Sequence, residues 1–233
     1  ICSDYKSATD EVNAQIADIN KIVKSYQKGA MVIGEAPLMK DLQDVTDVDL
    51  KNVNTISIAA IFLIILITFK SISIPIILVS VIEFAIACNM SVPYYTNTSL
   101  AFVTSIVIGT IQLGATVDYA ILRTSRYHKE RINGATKAEA VGIAHRTSIK
   151  SILTSGFGFF AATFGVSLYS QIDMIKSIVT LLARGAVISM IVVICILPAM
   201  LWLFDGVIVR TSWDMRKAGI VQRDKAAKKE KLS

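Results

Sequence analysis

The chain has 233 residues, 53% of them hydrophobic, a mean hydropathy of +0.57 and a formal net charge of +6. That composition excludes an ordinary soluble domain and fits an integral membrane protein. The charge is uneven: residues 1–52 hold six Lys against nine Asp or Glu, 123–150 hold seven Lys or Arg against two acids, and 206–233 hold eight against three. Basic clusters beside apolar runs act as orientation signals. With no aromatic-plus-basic surface motif beside them, they give no nucleic-acid site.

Residues 8–28 place Val12, Ile16, Ile19 and Val23 at helical spacing, which predicts an amphipathic helix outside the membrane, ended by Gly29. Ala30 to Gly34 reads as a short strand, Glu35 to Pro37 as a turn, and 38–52 as a second polar helix. A helix–strand–helix piece this small cannot bury its own core. Residues 1–52 are therefore expected to close a small α+β, porter-like extracytoplasmic domain whose beginning lies upstream. The chain reads as the later part of a longer protein.

Five apolar spans follow: Val53–Phe69, Ile74–Val92, Leu100–Leu122, Ile152–Tyr169 and Ile178–Phe204. Each is near the roughly 17–25 residues a membrane helix needs. They predict an all-α polytopic bundle over 53–204, with a basic tail over 205–233. The connectors Lys70–Ser73 and Pro93–Ser99 are short enough to force antiparallel neighbours. The positive-inside rule puts the 123–150 loop, the Lys70 turn and the tail in the cytoplasm, and the acidic N-terminal part outside. Trp202, Trp213 and Tyr127 fall at the inner boundary as interfacial anchors. Thr136 and Glu139 have the spacing of a capping box, opening a short amphipathic helix on the membrane face. His128 and His145 read as solvated surface residues. Cys2, Cys88 and Cys195 are scattered and form neither a disulfide framework nor a metal motif. Nothing calls for a metal or a cofactor, and no Walker motif appears.

The polar residues inside the spans carry the functional signal. Asp118 stands in the third span, where an acid costs about 2.5–3.5 kcal/mol to insert and marks a functional site by default. On a helix it shares a face with Ile111, Gly114 and Ala115, small enough at two positions for a partner helix to approach. Tyr119, about 100° away, offers a phenolic hydroxyl. An Asp and a Tyr side by side can hold a proton and pass it on. Glu83, mid-way along the second span, reads equally as a second proton or pathway group and as a protonated interhelical bond. Arg184 is expected to snorkel outward or to pair with Asp173. Ser151, Thr154, Ser155, Gly156 and Gly158 make a small-residue packing edge on the fourth span, with Ser155 near the Asp-Tyr site. Gln112 reads as a helix–helix hydrogen bond.

The segment Gly114-Ala115-Thr116-Val117-Asp118-Tyr119-Ala120, running into Thr124-Ser125-Arg126-Tyr127, resembles the Asp-Tyr signature of the MMPL branch of the RND (resistance-nodulation-division) transporters. The order of elements is similar too: the end of an extracytoplasmic domain, five helices, a basic tail. The resemblance covers essentially the whole chain and places it in the C-terminal half of such a protein. It implies a multi-pass exporter in the bacterial cytoplasmic membrane, driven by the proton gradient, acting on lipids or hydrophobic drugs. Asp118 and Tyr119 fall on the family's proton-relay positions, and the family pairs them with an equivalent pair in the other half. The partners implied are the bilayer, a hydrophobic substrate and that other half.

Two rivals stand beside export of small molecules: a non-transporting lipid- or sterol-sensing receptor module, which uses the same five-helix group, and an RND-like accessory of protein export. Enzymatic function is not expected. An intramembrane aspartyl protease needs two Asp residues sharing a proton, and the deep spans hold Asp118 alone. The orientation gives a first test. A cysteine label at position 134 should react from the cytoplasmic side and one at position 35 from outside; labelling of both from one side would end the five-span topology.

Overall fold

The computed structural model describes residues 9–96 and 102–220, apart from the side chains of 47, 50, 102, 103 and 105–107. Cys2, the end of the connector before the third span (97–99) and the end of the basic tail lie outside the described residues. Eight helices follow one another: α1 (Asp10–Tyr26), α2 (Glu35–Phe69), α3 (Ser73–Tyr95), α4 (Phe102–Ile132), α5 (Lys137–Tyr169), α6 (Asp173–Leu203), α7 (Asp205–Thr211) and α8 (Trp213–Lys217). The chain divides into two compact units at Val53 and Asn54.

In the first unit α1 opens with Asp10 and Glu11 in its first turn, where acids suit the helix dipole. It buries Val12 and Ile16, the i,i+4 pair of the expected stripe. Asn13 Nδ2 donates to Gln43 Oε1 at 3.2 Å. The strand expected over Ala30–Gly34 is absent, and no strand occurs among the described residues. A strand needs a neighbour to complete its ladder, and none of the described residues offers one. Over the described residues 9–52 the α+β reading is not shown: α1 and the start of α2 are joined by 27–34 without a strand. The second polar helix and the first span are one helix, α2. Between Pro37, in its first turn where a missing N–H costs nothing, and Lys70 there is neither Gly nor Pro to break it.

Four described helices are long and apolar enough to cross a membrane: α2, α3, α5 and α6. The third expected span lies on α4, which is helical but carries Thr110, Gln112, Thr116 and Asp118 along its length. In the second unit α6 packs against α3, α4 and α5, and Leu78 and Ile82 of α3, Leu113 and Ala120 of α4, Ile152 of α5, and Val193 and Leu197 of α6 share one core. Gly156 brings α5 close to α6: a Cβ there would lie 2.9 Å from Met190 Sδ. The capping box is present, with Thr136 Oγ1 accepting from the Glu139 N–H and Glu139 Oε2 accepting from the Thr136 N–H at 3.0 Å. Those bonds hold the Glu139 carboxyl below its ordinary value. The helix they start is not a separate surface piece, however. It continues unbroken to Tyr169, because no Pro interrupts it.

The α7 end of this unit is tied by buried polar groups. Arg131 Nε lies 2.8 Å from Asp205 Oδ1 and its Nη2 3.0 Å from Oδ2, a two-point pair. Arg131 Nη1 donates to the Ala135 carbonyl at 2.8 Å, and Tyr127 donates its hydroxyl to Asp205. Tyr127 is fully buried, not an interfacial anchor. Burial, then the bond to Asp205, pushes its phenol well above the ordinary value, so it remains a donor. The turn after α2 is pinned as well. Lys70 takes a positive φ of 46°, and its carbonyl accepts from the Trp213 N–H at 3.2 Å. His128 is no solvated histidine. Its ring meets Phe69 edge-on, its Nε2 lies 3.2 Å from Ser212 Oγ, and burial lowers its pKa against the opposing pull of Asp214.

Asp205→Ala leaves the Arg131 guanidinium buried without its carboxylate and is expected to cost about 3–5 kcal/mol. Arg131→Met combined with Asp205→Ala should recover much of that loss. Thermal unfolding of the full-length protein in detergent measures both.

Candidate functional site

The helix that holds the site is α4, and it presents two polar faces. One is turned inward. Gln112, Thr116, Tyr119, Arg123 and Tyr127 recur at three- and four-residue steps, and all are buried. The other carries Ile111, Gly114 and Asp118, which are exposed, with Ala115 partly so. The Asp-Tyr pair therefore straddles the boundary: Asp118 opens outward, and Tyr119 is 6% exposed.

Gly114 has nothing within 4 Å of where a Cβ would sit, and Ser155 is exposed, as are Ser151, Thr154 and Gly158. Among the described residues, Gly114 and Ser155 are thus open and Ala115 is partly covered. The contact on α5 is made by Gly156 alone of that set, on the opposite side of the helix. Glu83 is half-buried between Ser80 and Ala87, both exposed, and its Oε1 is buried without a hydrogen-bond partner.

The inward face reaches a polar cluster between α3, α4 and α6. Asn89 Nδ2 donates to Gln112 Oε1 at 2.8 Å and to the Leu181 carbonyl at 3.1 Å. Gln112 Nε2 donates to Ser189 Oγ at 3.0 Å, so Gln112 is the interhelical bond its position suggests. Thr116 Oγ1 returns its hydroxyl to the Gln112 carbonyl at 2.7 Å. Arg184 completes the cluster, with Nε 2.9 Å from Asn89 Oδ1 and Nη2 2.9 Å from the Asn89 carbonyl. It neither snorkels nor pairs with Asp173. Eleven residues along one helix are roughly 16 Å, whereas Asn89 faces it from the next helix with two acceptors. Gly185 makes the approach possible, since a Cβ there would lie 2.7 Å from both Asn89 Nδ2 and Gln112 Oε1.

One turn beyond Tyr119, Arg123 is 1% exposed. Its Nη1 donates to the carbonyls of Val193 and Ile194 at 2.7 and 2.9 Å, and its Nε to Ser148 Oγ at 3.3 Å. It is a buried link from α4 to α6 and α5, although its place in the chain suggests a solvated boundary charge. Sequence reasoning missed Asn89, Ser189 and this role of Arg123. The available signal was an Asn deep in an apolar span, which has to find a partner.

The arrangement can do two different things. The inner groups are bonded in fixed directions and set how α4 sits among its neighbours. Asp118 is open on the other side, where a proton or a second helix can reach it.

The MMPL family model matches residues 2–223 of the chain. The sequence is 28% identical to YdgH of Bacillus subtilis (strain 168), named as a membrane protein, over 196 residues that cover 82% of this chain and 22% of YdgH. It is 26% identical over 185 residues to the Streptomyces coelicolor membrane protein SCO6666, covering 78% of this chain and 26% of that one. ActII-3 of the same organism is 30% identical over 105 residues, 43% of this chain and 14% of its own length. The chain thus spans about a quarter of the length of the first two relatives.

Gly185→Ala should force Asn89 and Gln112 apart and cost roughly 1–3 kcal/mol, the usual range for overpacking. Gly142→Ala, on the exposed face of α5 with nothing within 4 Å, should be neutral or slightly stabilising. Comparison of the two variants by thermal unfolding separates a packing effect from the general helix preference for Ala.

Proposed function

The chain belongs to the MMPL family, and we propose that it is the C-terminal half of a proton-driven RND-type exporter of lipids or hydrophobic compounds. In this reading α4 is the third of five membrane spans, packed on one side against α3, α5 and α6. The basic loop after α4 faces the cytoplasm, α1 faces outward, and the membrane is the bacterial cytoplasmic one. Asp118 takes up and releases the proton, and Tyr119 passes it toward the buried side of α4. Glu83, with one unpartnered carboxylate oxygen, is a second candidate on the proton or substrate path.

The observation that carries this reading is the uncovered face of α4. An acid left against lipid is costly, so the face of Ile111, Gly114 and Asp118 calls for a cover. Gly114 and Ala115 leave room for a helix to come close. The other half of the transporter supplies that helix. Asp118 is then enclosed when the halves close and reached by water when they part. A carboxyl that alternates between such surroundings alternates in proton affinity, because burial favours its neutral form and water its charged form.

In the full-length protein, Asp118→Asn should leave the amount in the membrane nearly unchanged, since Asn matches Asp in shape, and should abolish pH-gradient-driven efflux. Tyr119→Phe should reduce efflux less, because a water can replace the hydroxyl. The assay is efflux of a fluorescent phospholipid analogue or hydrophobic dye from membrane vesicles, with protein amount determined by blot. Asp118→Asn protein that pumps at the wild-type rate would remove the relay and favour a lipid-sensing module instead.

A further inference from the structure

The chain has four prolines. Pro37 and Pro75 stand in the first turns of α2 and α3, where a helix has no ladder bond to lose. Pro93 and Pro198 stand inside α3 and α6. A proline there supplies no N–H to the carbonyl four residues earlier. For Pro93 that carbonyl belongs to Asn89, and for Pro198 to Ile194. In hydrocarbon no water can replace the missing donor.

Both of these oxygens accept from an arginine on another helix. Arg184 Nη2 of α6 donates to the Asn89 carbonyl, and Arg123 Nη1 of α4 donates to the Ile194 carbonyl, each at 2.9 Å. Arg123 takes the preceding carbonyl, Val193, as well, at 2.7 Å. The bonds given for Arg123 end on two carbonyls and a serine hydroxyl, with no carboxylate among them. A buried guanidinium needs strong acceptors, and a proline break is a place where backbone acceptors stand free. Each defect answers the other.

We propose that Arg123 and Arg184 are positioning residues, each standing in for the backbone N–H that one helix proline lacks. The Arg123–Pro198 pair fixes α4 on α6, and the Arg184–Pro93 pair fixes α6 on α3. Tyr119 lies one turn before Arg123 on the same face of α4, so the first pair also sets the placement of the Asp118–Tyr119 segment. Only that last step rests on the transport reading; the pairing stands without it.

The test is a crossed rescue in the full-length protein, read as Tm in detergent and as amount in the membrane. Arg123→Gln and Arg184→Gln should each lower Tm by several degrees. Pro198→Ala restores an N–H that can reach the Ile194 carbonyl, so it should recover most of the loss from Arg123→Gln and little of the loss from Arg184→Gln. Pro93→Ala should do the reverse. A general benefit of removing proline would rescue both arginine variants alike, and that pattern overturns the pairing. Wild-type Tm in the single arginine variants also overturns it. If Arg123→Gln fails to reach the membrane, the double variants decide: the matched one should accumulate and the mismatched one should not, and equal failure counts against the proposal. In the efflux assay the same matched pattern is expected in rate per molecule. A matched pattern in Tm with no pH-driven efflux even from wild type would keep the pairing and reject the transport reading.

Discussion

Inside a bilayer every backbone N–H and C=O must find its partner within the protein, and the second unit depends on how that requirement is met at its irregular places. The helices satisfy their own ladders except where a proline stands or a helix ends. At those places side chains from other helices fill the vacancy. Arg123 does so on α6 and Arg184 on α3, while Arg131, near the end of α4, bonds the Ala135 carbonyl in the turn after its own helix. Lipid gives little hydrophobic drive for helices to associate. Directional bonds of this kind, with close contacts at Gly156 and Gly185, therefore carry much of the specificity of packing.

This division of roles gives α4, the least apolar of the long helices, two polar faces of different kinds. Its inner stripe, from Gln112 to Tyr127, is committed to α3, α5, α6 and α7 by bonds of fixed geometry. Among the described residues its outer stripe has nothing packed on Gly114 and is open at Asp118. A helix with only the outer stripe could rotate or slide when its acid changed charge. In the proposed relay, one tied on the other side would deliver that change to whatever covers Asp118.

Much of this was legible in the sequence, and the reasons for the rest are physical. The spans follow from runs of apolar residues, and the capping box from the Thr136–Glu139 spacing. The interhelical role of Gln112 follows from an amide in an apolar span. The strand over Ala30–Gly34 was misread because β-propensity in five residues says nothing of a partner strand. The short helix after Thr136 was misread as separate because amphipathic and apolar stretches of one helix look like two elements when periodicity is judged window by window. Arg123 and Tyr127 were misread for another reason. Charge counting treats an Arg at the end of an apolar run as a boundary marker, and the partners that bury this one are backbone carbonyls, which no side-chain pattern reveals. A proline four residues after an apolar position does mark a free carbonyl. Pro198 and Pro93 were therefore the overlooked clues.

The placement of the arginines also bears on why Asp118 can remain an unpaired acid. Within this unit the cations nearest to it in sequence, Arg123 and Arg126, stand five and eight residues on. Arg123 is turned inward, with Nη1 given to Val193 and Ile194 and Nε to Ser148, and Nη2 buried without a hydrogen-bond partner. A guanidinium free to swing toward the outer stripe could form a charge-assisted pair with that carboxyl, which the proposed relay needs unpaired. By giving Arg123 acceptors on α6, Pro198 keeps that cation away from the face that Asp118 shares with Gly114. The proline break and Asp118 are thus linked through the residue between them, and in the proposed relay the acceptor freed by Pro198 helps hold Arg123 away from Asp118.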